Sequence, residues 1–354
     1  MQSFLQRYSF DIESLKSMLS FVCFTLSFPV VAASLSGSMS TIRNVVVVGG
    51  THGNEYTGVW CIKALDRAAE SLSALYPSLR ISTLLANPEA YRQNKRFNPY
   101  ALTKSMRCSG QSFKTDVIVD LHSTTSNMGL TLIIAEGDSL MAAAAAYVLL
   151  KCGGEARGAR CLMHSHPSRE SRPNLSSAAR HGFTIEVGPV PQGILRHDAV
   201  ERTQQAVAAL LEFLQLHNQD RTRLLQNLRQ AYDNKKVPCF RSAPARRPGE
   251  MSGKITWPCD SENVNFPAVM VHKDLQDRDF HEIQTGDPLF VDLKGKTIPY
   301  TGSHGSPVYL MFVNEGGYYY ASSGTGIGVA IRADFNLESG KFVEKITVGE
   351  YDVS

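Results

Sequence analysis

Short runs of β-branched residues alternate with longer helical patterns between Arg43 and about His217. Such alternation is typical of α/β domains, in which helices connect the strands of a largely parallel sheet. Strands are predicted at Val45–Val48, Arg80–Leu85, Thr115–Leu121, Leu130–Ala135 and Phe183–Val187. Helices are predicted after an N-cap at Thr57, after Asp138 and over Asp198–His217. The chain is therefore expected to adopt an α/β fold whose sheet is flanked by helices.

The pattern changes beyond about residue 220. Apart from a helix predicted around Arg221–Ala231, which could belong to either side, short strands follow one another between turn residues such as Ser252-Gly253. A chain of 354 residues is also long enough for two domains. The sequence predicts an N-terminal extension over residues 1–40, an α/β domain over 41–220 and a smaller, mostly β domain over 221–354.

The first 40 residues contain an apolar stretch, Met18–Ala33, that ends in small residues. It is too short for a transmembrane helix. The segment before it has as many acidic as basic residues, unlike the basic start of a secretory signal. We expect a tail that precedes a natural start at Met39, with a secretory signal in residues 1–33 as the alternative.

Charge and cysteine content narrow the expected partners and compartment. The net charge is +3 with no long run of Lys or Arg, so no nucleic-acid partner is expected. Seven scattered cysteines, never spaced as Cys-x-x-Cys, are unlike a disulfide framework or a zinc knuckle. A cytoplasmic location is predicted, and membrane association is left open.

Three polar side chains stand at the ends of predicted strands. His52 and Glu55 follow the first strand, and His122 ends another. Open α/β sheets hold their ligands at the carboxyl ends of the strands, so these side chains are expected to meet. Each histidine alone is more often structural, but together with the carboxylate they form a set that zinc favours. Three protein ligands leave one position open, which is typical of catalytic zinc.

Glu186 interrupts the apolar strand Phe183–Val187. A carboxylate there is costly to bury unless it is paired or used in chemistry. We therefore expect Glu186 to be a general base for a metal-activated water. The alternative is that Glu186 points to solvent from an edge strand. The remaining histidines of this region are expected to be solvated or to support the site; they are His164, His166 and His181.

Several longer blocks are spread along residues 41–320, so a resemblance that they carry covers nearly all of that range. They are GGTHGNEYTG from Gly49, NPEA from Asn87, DLHSTTSNMGLTLI from Asp120, IEVGPVPQGILR from Ile185, LQDRDF from Leu275, GDPLFVDLKGKTIP from Gly286 and VNEGGYYY from Val313. Together, and in this order, they resemble the aspartoacylase family. Within the family the likeness is closer to the aminoacylase-3 branch, which acts on N-acyl aromatic amino acids and mercapturates.

The resemblance implies a zinc-carboxypeptidase-like mixed sheet flanked by helices, followed by a β-rich C-terminal domain that partly covers the site. It implies one zinc ion per subunit, a small N-acyl amino acid substrate and a homo-oligomer. It also implies residue roles: His52, Glu55 and His122 as zinc ligands, Glu186 as general base and later proton donor to the leaving amine, Arg96 as the group that steadies the acyl carbonyl oxygen, and Tyr318 and Asn87 as substrate-binding residues.

Two departures from the family pattern concern the substrate. After Arg96-Phe97 the family continues into an Asp-x-Asp-Leu-Asn-Arg block whose Asn and Arg bind the α-carboxylate, whereas this chain continues Asn98-Pro99-Tyr100. Arg92 or Arg107 could substitute. Before Glu186, the aspartate-selective branch carries an arginine where this chain has Ser176. Because a serine supplies no charge, the resemblance favours neutral or aromatic substrates.

The expected function is thus zinc-dependent hydrolysis of N-acyl, chiefly N-acetyl, amino acids. Two alternatives stay open. One is an aspartoacylase that hydrolyses N-acetyl-aspartate. The other is a catalytically impaired zinc-containing binding protein, because the Asn-Arg block is missing from residues 97–116.

Overall fold

The computed structural model describes residues 41–96, 115–165, 174–247, 249, 251–258, 267–319 and 326–343. Its strands are β1 Asn44–Gly49, β2 Arg80–Leu85, β3 Val117–Ser123, β4 Gly129–Ala135, β5 Ala159–His164, β6 His181–Gly188, β7 Lys236–Ser242, β8 Lys254–Ile255, β9 Val269–Val271, β10 Glu282–Ile283, β11 Pro288–Asp292, β12 Thr297–Pro299, β13 Val308–Met311 and β14 Ile327–Asn336. Its helices are α1 Tyr56–Arg67, α2 Ala69–Leu75, α3 Pro88–Arg92, α4 Ser139–Lys151 and α5 His197–Ala231.

One large mixed sheet dominates the fold. Its strands lie in the order β10-β13-β14-β7-β5-β4-β6-β3-β1-β2, and β8 pairs with β14. Strands β2, β1, β3 and β6 are parallel, whereas β4 is antiparallel to β6 and parallel to β5. A separate three-stranded sheet has the order β12-β11-β9. The expected mixed sheet flanked by helices is confirmed.

The strands next to the site are buried on both faces. In β1, Val45, Val47 and Val48 are 0% exposed, because β1 lies between two neighbours and beneath α1. A continuous apolar run is what such a central parallel strand requires. The register pairs Gly49 of β1 with Leu121 of β3, so the polar residues that follow both strands emerge at one edge of the sheet.

The start of α1 differs from the sequence-based expectation. Glu55, not Thr57, is the N-cap residue, and Thr57 lies inside the helix with a buried hydroxyl. The reason is close packing of the helix on the sheet. A Cβ placed on Gly49 would lie 2.4 Å from the carbonyl oxygen of Gly58. The first turn of the helix therefore lies directly against the end of β1. The helix start therefore places Glu55 at the strand edge.

Two of the four apolar clusters in the described residues form the main cores. The larger joins the central strands to α1, α4 and α5, and it includes Val237 of β7 and Phe335 of β14. The smaller is built from the C-terminal part of the chain around Trp257, Phe290 and Tyr300. Within the described residues, no helix is both long and apolar enough to cross a bilayer.

The proposed division at residue 220 falls at a break in α5. Asp220 has non-helical angles, φ −152° and ψ 75°, and the helix continues beyond it to Ala231. Strands β7 and β14 follow this point in the chain, yet they pair in the same sheet as β5. The sheet thus crosses the proposed division.

Candidate metal centre

Three potential metal ligands meet at the carboxyl ends of β1 and β3. His52 Nδ1 lies 2.5 Å from Glu55 Oε1 and 3.2 Å from His122 Nδ1, and His122 Nδ1 lies 3.0 Å from Glu55 Oε2. The turn after β1 supplies His52, the N-cap of α1 supplies Glu55, and β3 supplies His122. We call these three residues the metal site.

The donor atoms of the metal site suit a tetrahedral ion. Ligands about 2.0–2.1 Å from zinc lie about 3.3 Å from each other. The two histidine nitrogens already have nearly that separation, at 3.2 Å, and the carboxylate needs to move by less than about 1 Å. Two imidazole nitrogens and a carboxylate, with one side open, are also the donor types of catalytic zinc. The residues present therefore fit a zinc ion.

Asp120 supports His122 from behind. Its Oδ2 lies 3.1 Å from His122 Nε2, and its Oδ1 accepts a hydrogen bond of 2.7 Å from Thr51 Oγ1. Burial opposes the charged form of His122, but Asp120 and Glu55 hold the pKa of this histidine well above its ordinary value. A carboxylate behind a ligating histidine orients the ring and raises its basicity. Asp120 was not assigned a role from sequence, although it interrupts an apolar strand just as Glu186 does.

Glu55 is almost fully buried, with 4% exposure. Burial alone raises the pKa of a carboxyl group, but His52 and His122 hold the pKa of Glu55 well below its usual range. The backbone N–H of Ser123 donates to Oε2 at 3.1 Å, and Arg96 Nη1 donates to Oε1 at 2.9 Å. Glu55 is therefore held as an anion, the form in which it can bind a metal.

Glu186 stands beside the metal site on the neighbouring strand. The β3–β6 register pairs it with His122, and β6 lies between β3 and β4, so Glu186 is not on an edge strand. It is 8% exposed. Burial raises the pKa of Glu186 to about 8, with Glu55 and Glu315 adding to the rise and His122 and Arg96 opposing it. A carboxylate with this pKa can both take up and release a proton near neutral pH.

Arg96 bridges the metal site and the C-terminal part of the chain. Its Nη1 donates to Glu55 Oε1 and, at 3.2 Å, to Glu315 Oε1. Burial lowers the pKa of Arg96, but Glu55 and Glu315 outweigh it and raise the pKa above its usual value. The guanidinium therefore stays charged beside Glu186.

Glu315 is a site residue that sequence reasoning missed. It is 3% exposed and accepts hydrogen bonds from the Thr124 hydroxyl, from the Thr125 N–H at 3.1 Å and from the Gly317 N–H at 2.8 Å. It thus ties the β3–β4 loop and Arg96 to the segment after β13. A glutamate among glycines gives no periodic signal, and only its several partners reveal the role.

Tyr318 lies near Arg96 and Lys254. Its ring is 5.8 Å from the Arg96 guanidinium carbon and 5.0 Å from Lys254 Nζ. Burial and the nearby Glu186 raise the pKa of Tyr318, so its hydroxyl stays protonated. Burial also lowers the pKa of Lys254. A neutral phenol flanked by two cations is available to an anionic group.

Asn87 has a structural position. Its side chain is fully buried and its Oδ1 accepts a hydrogen bond from the Ala90 N–H at the start of α3. No partner for its Nδ2 is found among the described residues. The structure gives Asn87 the role of a helix cap, and the expected contact with substrate stays a prediction.

Ser176 lies on the short helical turn Leu175–Ala178, which packs on the sheet. It is 6% exposed, and its Oγ accepts a hydrogen bond of 3.5 Å from Thr184 Oγ1 of β6. A Cβ placed on Gly182 would lie 2.4 Å from the Ser176 carbonyl oxygen, so the turn sits tightly against β6. This position supplies hydroxyl groups and no charge.

The other candidates are remote or lie outside the described residues. His181 bonds Asp138, His164 lies 3.4 Å from Ser242 Oγ, and Arg92 pairs with Glu89 on the surface. None of the three belongs to the metal site. His166, Arg107 and the segment expected to carry the Asn-Arg block lie outside the described residues.

Comparison with protein families identifies both parts of the chain. The succinylglutamate desuccinylase/aspartoacylase catalytic domain matches residues 41–115 and 103–214, and the AstE/AspA barrel-sandwich hybrid domain matches residues 250–325. Two overlapping matches to one catalytic domain meet at residues 103–115, close to the expected Asn-Arg block.

Individual relatives agree with this match. A probable aspartoacylase of Nostoc sp. is 32% identical over 305 residues, which is 79% of this chain and 94% of the relative. The human N-acyl-aromatic-L-amino acid amidohydrolase (carboxylate-forming) is 32% identical over 322 residues, 81% of this chain and 90% of the relative. The crystal structure of murine aminoacylase 3 has a TM-score of 0.68 at 25% identity and covers 87% of this chain and 100% of its own. The chain belongs to the succinylglutamate desuccinylase/aspartoacylase family.

Proposed function

We propose that this protein is a zinc-dependent amidohydrolase that removes acyl groups, chiefly acetyl, from N-acyl amino acids. The observation that carries the proposal is the meeting of His52, Glu55 and His122 beside the buried carboxylate of Glu186. The names of the relatives supply the substrate class, N-acyl amino acids with an aromatic or an aspartyl side chain. A small molecule of that class is the proposed partner.

Each charged group near the metal site has a task in this reaction. Zinc supplies Lewis acidity, which lowers the pKa of water toward about 7 and polarises a carbonyl oxygen. Glu186 takes the proton of the attacking water and later delivers it to the leaving amine. Its pKa of about 8 suits both steps. Arg96, held charged by Glu55 and Glu315, stabilises the negative charge that grows on the acyl oxygen.

The substrate carboxylate is proposed to bind near Tyr318. The Tyr318 hydroxyl is protonated and its ring lies between Arg96 and Lys254, so an anion meets a hydrogen-bond donor in a cationic setting. The Asn-Arg block of the family would normally add a charged contact worth about 1.5–3 kcal/mol. Its loss is expected to weaken substrate binding more than the chemical step.

We propose that the selectivity favours aromatic side chains or mercapturates over aspartate. The supporting observation is Ser176, a buried hydroxyl where the aspartate-selective branch carries an arginine. A negatively charged substrate side chain would find no partner from this turn, and burying it unpaired is costly.

Turnover of N-acetyl-tyrosine, N-acetyl-aspartate and a peptide, measured side by side on the zinc-loaded chain, tests this function. N-acetyl-tyrosine is expected to be hydrolysed fastest, and faster turnover of N-acetyl-aspartate would contradict the selectivity argument.

His122→Ala should lose both zinc, measured by elemental analysis, and activity. Glu186→Gln should keep zinc and lose activity. Arg229→Gln, which breaks a surface ion pair with Glu338, is the control and should change neither.

A second candidate is a zinc-containing binding protein without turnover. The observation that favours it is the family block missing between Arg96 and Asp116. Stoichiometric zinc with no hydrolysis of any acyl amino acid would support it. Activity gained on inserting the block would instead identify a truncated enzyme.

We further propose a cytoplasmic, homo-oligomeric protein. Four described cysteines are free thiols, in keeping with a reducing compartment; they are Cys61, Cys152, Cys161 and Cys239. The oligomeric part rests on the family resemblance. Light scattering of the purified chain gives the mass in solution, and a monomer at all concentrations would contradict it.

A further inference from the structure

Four arginines surround one tight turn at the start of β5. The turn contains Glu155–Arg157 and Gly158, which has a left-handed conformation with φ +66°. Arg157 lies in the turn, Arg160 follows on β5, Arg202 reaches it from α5 and Arg332 from β14. We call this set the arginine cluster. None of its members belongs to the metal site or to the groups proposed to act in hydrolysis.

Two of these guanidinium groups face the same open point. A Cβ placed on Gly158 would lie 3.6 Å from Arg202 Nη2 and 3.7 Å from Arg160 Nη1. Apart from the neighbours of Gly158 in the chain, no other described atom comes within 4 Å of that position. Because Gly158 has no side chain, no side chain at position 158 covers either guanidinium group at this point.

The positive charge at this point is only partly neutralised. Arg332 forms two hydrogen bonds with the Glu155 carboxylate, at 2.8 and 2.9 Å, so that carboxylate is already engaged. In the described part of the chain, neither Arg160 nor Arg202 forms an ion pair with a carboxylate. Glu155 and Asp279 do face Arg160, but the pKa of Arg160 is still lowered, by burial first and by Arg202 and Arg332. Such a cluster gains stability from an anion.

The arginines are held in place by contacts that leave their charge intact. The Arg160 guanidinium carbon lies 4.7 Å above the Phe280 ring, and that of Arg332 lies 5.6 Å above the Phe240 ring. Arg202 Nη2 donates to the Arg157 carbonyl oxygen. For Arg160 and Arg202, stacking and a neutral acceptor restrict the side chains without neutralising them, so little ordering entropy remains to be lost when an anion binds.

We propose that Arg160 and Arg202 form a binding site for a phosphate group over Gly158. A phosphate offers separate charged oxygens to the two guanidinium groups, each able to pair with the planar fork of an arginine, whereas a halide offers a single atom without this geometric match. Thr131 of β4 pairs in register with both Arg160 of β5 and Glu186 of β6, so this site lies at the same edge of the sheet as Glu186, two strands away, and three strands from β3, which carries His122. The phosphate can be free or carried by a larger molecule.

Binding of inorganic phosphate to the full chain, at an ionic strength kept constant with sodium chloride, tests the proposal. Phosphorus NMR line broadening and the shift of the melting temperature report the affinity. Arg160→Gln and Arg202→Gln each remove one of the two charged donors and should each weaken phosphate binding about tenfold or more. A factor of ten corresponds to about 1.4 kcal/mol of binding free energy. Arg229→Gln, a matched exposed arginine on the same long helix as Arg202, should bind as the unchanged chain does.

Phosphate could also bind at a metal, so the titration is repeated with His122→Ala. Binding that persists in this variant and is lost in Arg160→Gln supports the proposal. Equal phosphate affinity in the unchanged chain, Arg160→Gln and Arg202→Gln would overturn the proposal. A shift of the melting temperature that is as large with chloride alone as with phosphate would also overturn it. Glycerol phosphate distinguishes the source: tighter binding than phosphate indicates a carried phosphate group, and weaker binding indicates the free ion.

Discussion

Individual carboxylates illustrate what single positions reveal. Glu186 was identified from sequence because a charge inside an apolar strand is costly, and the structure places it buried beside His122. The same signal exists at Asp120, between Val119 and Leu121, but its partner Thr51 lies 69 residues away and is seen only in the fold. Glu315 gave no such signal, because two of its partners, Arg96 and Thr124, come from distant segments of the chain. Sequence thus identifies charged residues that are costly to bury more readily than it identifies the residues that they contact.

Asp120→Asn is expected to weaken zinc binding. The amide cannot accept hydrogen bonds from both Thr51 and His122 as the carboxylate does. The substitution also removes the negative charge that raises the basicity of His122. Loss of such a supporting carboxylate typically costs 10–100-fold, so about tenfold weaker zinc binding is expected. Competition with a chelator of known affinity measures it.

Thr51→Val is the matched control for that substitution, because it removes one hydrogen bond and leaves the Asp120 charge in place. A smaller loss of zinc affinity than in Asp120→Asn is expected. Equal zinc affinity in Asp120→Asn and the unchanged chain would show that the histidine needs no support.

Asp279 should make the protein less stable as the pH rises. Burial raises the pKa of Asp279 to about 6, from an ordinary value near 4, and no partner for its buried Oδ2 is found among the described residues. Between these pKa values the folded state binds more protons than the unfolded state, so the free energy of unfolding falls with rising pH. Asp279→Asn removes this effect and should raise the unfolding free energy by about 1–2 kcal/mol at pH about 7.5, less at pH about 5.

Urea unfolding of the chelator-treated protein at the two pH values measures this difference without a contribution from metal binding. Asp274→Asn is the control, because that carboxylate is 62% exposed and its loss should have little effect at either pH. A gain for Asp279→Asn that is equal at both pH values would rule out titration of Asp279 as its cause.

Helices and strands were predicted better than the way they pair. The runs at Val45–Val48 and Arg80–Leu85 became β1 and β2, because both carry β-branched residues between turn signals. The central strand β1 is largely buried, whereas β2, at the edge of the sheet, has no buried residue. Their neighbours could not be predicted, since the apolar pattern of a strand does not encode its partner. The antiparallel insertion of β4 between β6 and β5, and the addition of β7, follow from tertiary packing.

The short turn Gly316–Tyr318 should tolerate a methyl group at one glycine and not at the next. A Cβ on Gly317 would lie 2.3 Å from Arg96 Nε and 2.5 Å from its Cζ, so Gly317→Ala must displace the guanidinium from Glu55 and Glu315. A Cβ on Gly316 meets the flexible end of Gln192 at 3.3 Å and lies at an ordinary contact distance of 3.8 Å from Thr125 Oγ1. Gly317→Ala is therefore expected to lower kcat/KM by about tenfold or more, and Gly316→Ala only slightly.

Steady-state kinetics with N-acetyl-tyrosine, together with zinc content, checks this pair of variants. Zinc content should be unchanged in both, since neither touches His52 or His122. Similar kcat/KM values for the two alanine variants would mean that the position of Arg96 does not limit the reaction.

At the scale of the whole molecule, the sequence-based division at residue 220 separates segments that share one sheet. A chain ending at residue 220 would lack β7 and β14, and with them the core side chains Val237, Cys239 and Phe335. Each buried apolar side chain contributes about 1.5–3 kcal/mol, so the loss is comparable to the whole stability of a domain.

The fragment of residues 41–220 is therefore expected to show no cooperative unfolding transition, whereas a chain ending at Val343, which keeps every described element, should show one. Circular dichroism during heating distinguishes them. A sharp transition in the 41–220 fragment would mean that the first segment folds independently.

The Arg96–Glu315 contact has a consequence for the order in which the protein becomes competent during synthesis. The ribosome delivers His52, Glu55 and His122 first, whereas Glu315 lies 193 residues beyond His122 and emerges later. A growing chain thus carries a complete set of metal ligands long before it carries the residue that holds Arg96. A chain released before Glu315 would therefore contain all three candidate ligands and still lack the contact that holds Arg96, so the segment after β13 decides when the catalytic arrangement can assemble.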